Sequence, residues 1–173
     1  MQIQRVMSSL SVHYFVRGKQ LRALAVEDGQ PVWEDSCVEF FFRLPGDDYY
    51  TNIESNCIGT LVASRRKGRT EEVRPFTGEE LRRIVRRTTL MKELIPERNG
   101  LYDWQVELLI PLDLILPHDH PALHDRLAPI HLLANFYKCA DHTRYPHYVS
   151  WAPIDLPEPD FHCPQFFREL EID

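Results

Sequence analysis

The feature that most constrains this chain is its punctuation: short apolar or alternating runs, each ended by Pro, Gly, Asn or Asp. Alternation at period two is the signature of a strand with one buried face. Ser9–Arg17, Leu21–Val26, Ser36–Leu44, Tyr49–Asn56 and Thr60–Ser64 read as strands. Tyr102–Ile110, His131–Cys139, Tyr148–Trp151 and Gln165–Leu170 continue the series. Two segments break the pattern. Thr77–Arg87 carries Leu81, Ile84 and Val85 at helical spacing behind Thr-Gly-Glu-Glu, and Pro111–Leu116 opens with a proline suited to a first helical turn. Gly46-Asp47-Asp48 predicts a hairpin turn. The expected fold is all-β: an antiparallel, jelly-roll-like β-sandwich with one or two short helical turns. No repeat, low-complexity tract or linker divides residues 1–173, so a single domain is expected.

A domain of this size buries about 70% of the surface its unfolded chain exposes, enough to fold without a metal or disulfide. The formal charge of −6 has the wrong sign for a nucleic-acid footprint or an anionic membrane. No stretch approaches the roughly 18 apolar residues of a membrane span. The start, Met1-Gln2-Ile3-Gln4-Arg5-Val6, has no apolar leader region. The sequence as given therefore predicts a cytoplasmic protein, or an exported one where a leader precedes it. Cys37, Cys57, Cys139 and Cys163 form no CxxC pair and read as buried, reduced, small hydrophobes. His118-Asp119-His120-Pro121 followed by His124 fits no standard zinc spacing. Neither a metal nor a cofactor is expected. Arg65-Arg66-Lys67-Gly68-Arg69 reads as a solvated basic loop.

Three runs carry chemistry. In Ser36–Leu44, alternation puts Val38, Phe40 and Phe42 on one face and Cys37, Glu39 and Phe41 on the other. Glu39 is then a mid-strand carboxylate among apolar neighbours, costly to bury unless paired or hydrogen-bonded. Trp33 precedes this strand among Pro, Glu and Asp, and by itself reads as a rim tryptophan. In Tyr49–Thr60, Asn52, Glu54 and Asn56 share one face. Such a row suits a polyol, and equally suits a solvated sheet face. In His131–Cys139, Leu132, Ala134 and Phe136 face the core, leaving Asn135 and Tyr137 opposite and Lys138 at the end. Trp104 belongs with core-facing Val106, Leu108 and Ile110, while Trp151 can be placed on either side.

Read in order, these runs resemble family 9 carbohydrate-binding modules and the family-9-like proteins of sugar-degrading bacteria. The resemblance starts at Val32-Trp33-Glu34-Asp35-Ser36-Cys37-Val38-Glu39-Phe40-Phe41 and passes through Tyr49-Tyr50 to Asn56-Cys57-Ile58-Gly59-Thr60. It continues at Asn135-Phe136-Tyr137-Lys138-Cys139 and His147–Ile154, and closes at Pro159-Asp160-Phe161-His162-Cys163-Pro164-Gln165-Phe166-Phe167. It implies a two-sheet sandwich holding the end unit of a saccharide between two aromatic rings. Those rings would be Trp33 and Phe161, with Glu39, Glu54, Asn56 and Asn135 or Tyr137 meeting the hydroxyls. Three departures stand out. Glu54 takes a position where xylanase-linked modules carry arginine, Phe161 one where they carry tryptophan, and the N-terminus is shorter by a strand. Those modules can bind calcium, but no Asp/Glu cluster here can be assigned to it.

The expected function is non-catalytic binding of a mono- or oligosaccharide, linked to polysaccharide breakdown. A pyranose has a C–H face that rings can cover and a rim of hydroxyls that amides and carboxylates can meet. Two other functions fit the same residues: a glycoside hydrolase using Glu39 and Glu54 as a carboxylate pair, or an interaction domain whose sugar site is lost.

Overall fold

The computed structural model describes residues 1–173. In chain order the strands are β1 (Gln2–Val6), β2 (Ser9–Ala23), β3 (Cys37–Arg43), β4 (Tyr50–Asn56), β5 (Leu61–Arg66) and β6 (Arg74–Pro75). They continue with β7 (Val85–Thr88), β8 (Ile95–Pro111), β9 (Ile130–Cys139), β10 (Tyr148–Ser150) and β11 (Arg168–Ile172). Two short helices, α1 (Gly78–Arg83) and α2 (Leu112–Ile115), interrupt them. One antiparallel sheet has the order β1-β2-β8-β7 and the other β10-β9-β3-β4-β5-β6. β11 pairs with the first half of β9, beyond the reach of β10. The expected all-β sandwich is what the chain forms.

The period-two reading holds where it matters most. Val38, Phe40 and Phe42 of β3, Ile53 of β4, and Leu132, Ala134 and Phe136 of β9 point between the sheets. They meet Leu10, Val12 and Tyr14 of β2 and Trp104, Val106, Leu108 and Ile110 of β8. Burying each Val, Leu, Ile or Phe of this set contributes about 1.5–3 kcal/mol.

Several boundaries differ from the sequence expectation. The two runs read as Ser9–Arg17 and Leu21–Val26 are one strand, β2, whose alternation is broken by register shifts near Gly18 and Leu21. The short helix or turn expected over Thr77–Arg87 is a helix that stops at Arg83. Thr77 and Glu80 form a capping box, but Val85–Thr88 pairs with β8 instead of continuing the helix. Pairing along a long strand outweighs the weak helical preference of a β-branched residue. At the C-terminus, Pro164–Phe166 form a 3₁₀ turn, so the last strand starts at Arg168 and not at Gln165. β1 and β6 were not expected at all. No helix is long and apolar enough to cross a membrane.

The larger sheet has a second buried face. Beyond the edge strand β10, the segment after residue 150 packs on its outer side, where Phe41, Tyr50, Tyr137 and Phe167 form a separate apolar cluster with Ile154 and Phe161. The row Asn52, Glu54 and Asn56 is consequently buried rather than solvated.

Candidate functional site

Between this covering segment and the outer face of the larger sheet lies a cleft of about 360 Å³. Its floor comes from cross-strand neighbours: Glu39 of β3 lies opposite Glu54 of β4, and Glu54 opposite Val62 of β5. Cys139, at the end of β9, completes the floor. Trp33, Arg66, Arg69, Asp141, Tyr148, Asp160, Phe161 and His162 form the walls.

Trp33 sits in a 3₁₀ turn, Val32–Glu34, anchored by the fully buried Val32. Its carbonyl oxygen accepts from the Asp141 backbone N–H at 3.1 Å, and the residue is 39% exposed. Buried Asp35 ties the turn to the sheet: its carboxylate accepts from the backbone N–H of Leu24 and Ala25 and from Asn56 Nδ2, and pairs with Arg22 at 3.0 Å. Asn56 also donates to the Ala25 carbonyl oxygen and accepts from the N–H of Ile58 and Thr60. These bonds clasp the β4–β5 turn, where Gly59 adopts φ +82°.

Phe161 also lines the cleft and lies flat against Tyr137 with ring centroids 4.0 Å apart. Tyr148 approaches it edge-on at 6.1 Å.

Burial dominates the electrostatics of the floor. It raises the Glu39 carboxyl well above its usual range, helped by the neighbouring Cys139 and Glu54. It pushes Glu54 up to about 7, against the opposing pull of Asn52 and Arg66. Glu54 is held at the end of a hydrogen-bonded chain. Arg66 Nε donates to Ser64 Oγ at 2.8 Å, Ser64 Oγ to Asn52 Oδ1 at 2.5 Å, and Asn52 Nδ2 to Glu54 Oε1 at 2.7 Å. Arg69 lies 3.4 Å from Asp160. His162 is brought down to about 4 by burial and by the two arginines. The cleft thus offers acids on the floor, guanidinium donors at the rim and aromatic faces on the walls. A neutral ligand rich in hydroxyls can use all three.

Of the residues singled out in the sequence, Trp33, Glu39, Glu54 and Phe161 line this cleft together. Asn56, Asn135 and Tyr137 do not. Asn56 holds the turn behind Trp33. Asn135 is fully buried, donating to the Ala152 carbonyl oxygen and accepting the Ala152 and Phe136 N–H groups, which pins the covering segment to β9. Tyr137 supports Phe161 from beneath.

Sequence reasoning missed Arg66, Arg69, Asp141 and His162. The basic run read as solvated surface places Arg66 and Arg69 at the cleft, and their only signal was an unusual density of arginine. It also missed that Cys37, Glu39 and Cys139 meet. All four cysteines are free and buried, and ligand atoms of these three residues lie within 4.8 Å of one another.

The sequence matches carbohydrate-binding family 9 over residues 1–172. No curated protein matches it. Among solved structures it is similar to a protein from Bacteroides uniformis provisionally described as carbohydrate-binding, with 37% identity and a TM-score of 0.87. The alignment covers 96% of this chain and 74% of that one.

Proposed function

Because the chain belongs to carbohydrate-binding family 9, we propose that it binds the end unit of a mono- or oligosaccharide in this cleft, without catalysis. The observation that carries the reading is the placing of Trp33 and Phe161 on the walls of one cleft whose floor is Glu39 and Glu54. Its volume falls within the range of small-molecule sites. The rings cover the C–H face of a pyranose, while the floor carboxyls and the rim arginines meet its hydroxyls. An aromatic ring gives this contact with few rotamers to freeze. The description of the Bacteroides relative supports the ligand class, and the same reading links the chain to polysaccharide breakdown.

A small, wet site of this kind is expected to bind with about −4 to −8 kcal/mol, millimolar to micromolar. Calorimetry against a broad panel of mono- and oligosaccharides tests the reading. Heat from none of them would remove it.

One observation favours a second reading. Glu39 and Glu54 are direct cross-strand partners with raised pKa values. With Cβ atoms about 4.5–5.5 Å apart, such a pair can adopt either the carboxyl spacing of retaining glycosidases, about 5–5.5 Å, or that of inverting ones, about 6.5–9.5 Å. Both rise from one floor, however, whereas hydrolysis needs carboxyls flanking the scissile bond. Turnover of chromogenic glycosides that disappears in Glu39→Gln would establish the enzyme; intact substrates would leave a binding protein.

A further inference from the structure

The thiols beneath the cleft have no part in the sugar reading, and their arrangement is specific. Cys37 and Glu39 point to the same face of β3, two residues apart, and Cys139 on β9 is the register partner of Cys37. Cys139 Sγ lies 3.0 Å from Glu39 Oε1, and Cys37 Sγ 4.0 Å from the same oxygen.

We propose that Cys37, Cys139 and Glu39 form a binding site for a thiophilic divalent cation of the zinc class at the floor of the cleft.

Two sulfurs and a carboxylate oxygen are a donor set that such ions favour over hard cations. With Zn–S near about 2.3 Å and Zn–O near about 2.1 Å, tetrahedral ligands sit about 3.5–3.8 Å apart. The three groups, within 4.8 Å of one another, therefore reach the ion by small side-chain rotations. The backbone need not move, because both cysteines lie on paired strands of the sheet. All three groups are buried, so the ion itself must offset the cost of ionising them away from water. Lys138, whose Nζ donates to the Cys139 carbonyl oxygen at 3.0 Å, supplies a nearby positive charge against the surplus of two thiolates and a carboxylate.

The fourth position opens upward. Cys139 and Glu39 both line the cleft, as does Asp141, so Asp141, water or a ligand oxygen can complete the coordination. An open fourth position distinguishes this arrangement from a closed structural zinc site. Binding displaces the thiol protons of Cys37 and Cys139 and the carboxyl proton of Glu39 into solvent, so affinity rises with pH. The site goes beyond the sugar reading and does not depend on it.

The test uses the whole chain, stripped with a chelator and kept reduced by a phosphine, titrated with Co²⁺. The expected result is a thiolate-to-cobalt charge-transfer band that saturates at one equivalent and is displaced by Zn²⁺. Cys37→Ser and Cys139→Ser should abolish the band, and Cys163→Ser should retain it. Glu39→Gln, which keeps both thiols, should weaken binding by at least about tenfold. No band in the reduced wild-type protein, or an equal band in both cysteine variants, would overturn the site. Should the cysteine variants fail to fold, unchanged cobalt affinity in Glu39→Gln would do so alone. A protein that bound no sugar would leave each of these outcomes readable.

Discussion

Tyr137 and Phe161 lie ring on ring, their planes 9° from parallel, and Tyr137 Oη donates to the Phe161 carbonyl oxygen at 3.2 Å. A strand residue thus fixes both the ring and the backbone of a residue in the covering segment. The stack is worth about 0.5–1.5 kcal/mol beyond area burial. Tyr137→Phe should keep the stack and cost about 0.5–1.5 kcal/mol for the lost hydrogen bond. Tyr137→Ala should cost about 3–5 kcal/mol and also weaken sugar binding, since Phe161 loses its backing. Urea unfolding and calorimetry on both variants check this.

Trp33 is expected to separate binding from folding. The residue is substantially exposed, while the buried Val32 and the Asp35 network hold the turn. Trp33→Ala should leave the unfolding midpoint nearly unchanged and weaken sugar binding by at least about tenfold, or 1.4 kcal/mol. A large loss of stability with intact binding would place the ring in the fold instead.

The opposite pattern is expected at Asn56. Its carboxamide satisfies the Ala25 carbonyl oxygen, the Asp35 carboxylate and two backbone N–H groups without lining the cleft. Asn56→Ala leaves several buried partners unsatisfied, at about 1–3 kcal/mol each. Thermal unfolding should show the loss directly, and any change in sugar affinity should follow from a displaced Trp33.

Glu54 predicts the pH dependence of stability. Burial raises it from the ordinary 4.5 to about 7, so between these values the folded state binds more protons than the unfolded one. Its stabilising contribution is fully present below about pH 4.5 and is lost as pH rises through about 7. Glu39, raised for the same reason, acts in the same direction. Denaturant midpoints should fall across that window by an amount corresponding to a few kcal/mol at most. Glu54→Gln should flatten the Glu54 part of the slope.

The sandwich was legible because alternation writes the buried face of each strand directly into the sequence, as at Val38, Phe40 and Phe42. Element boundaries were less so. The bulges of β2 break its period without ending the strand, and Val85 joins β8 through pairing with residues over twenty positions away. At the cleft, Glu39 and Glu54 stand out from the alternation of their own runs, whereas Trp33 and Phe161 were pointed to by the family resemblance. The separation of Glu54 from Asn56 was not legible. Both lie on one strand face, and only the path of the covering segment decides which of them sees the cleft. Arg66 and Asp141 were invisible for the same reason, and the meeting of Cys37 with Cys139 depends on strand register that no local spacing encodes.

The cleft joins two kinds of chain. Its floor stands on β3, β4, β5 and the end of β9, whose reverse sides build the main core. Its walls, by contrast, come largely from connecting segments around Trp33, Arg69, Asp141 and Phe161. A change of floor residue must be reconciled with close packing on the same strand, whereas a change of wall residue need not. Ligand preference in this architecture can therefore drift through its connections while the carboxyl floor stays put, so divergence among related chains should concentrate on the walls.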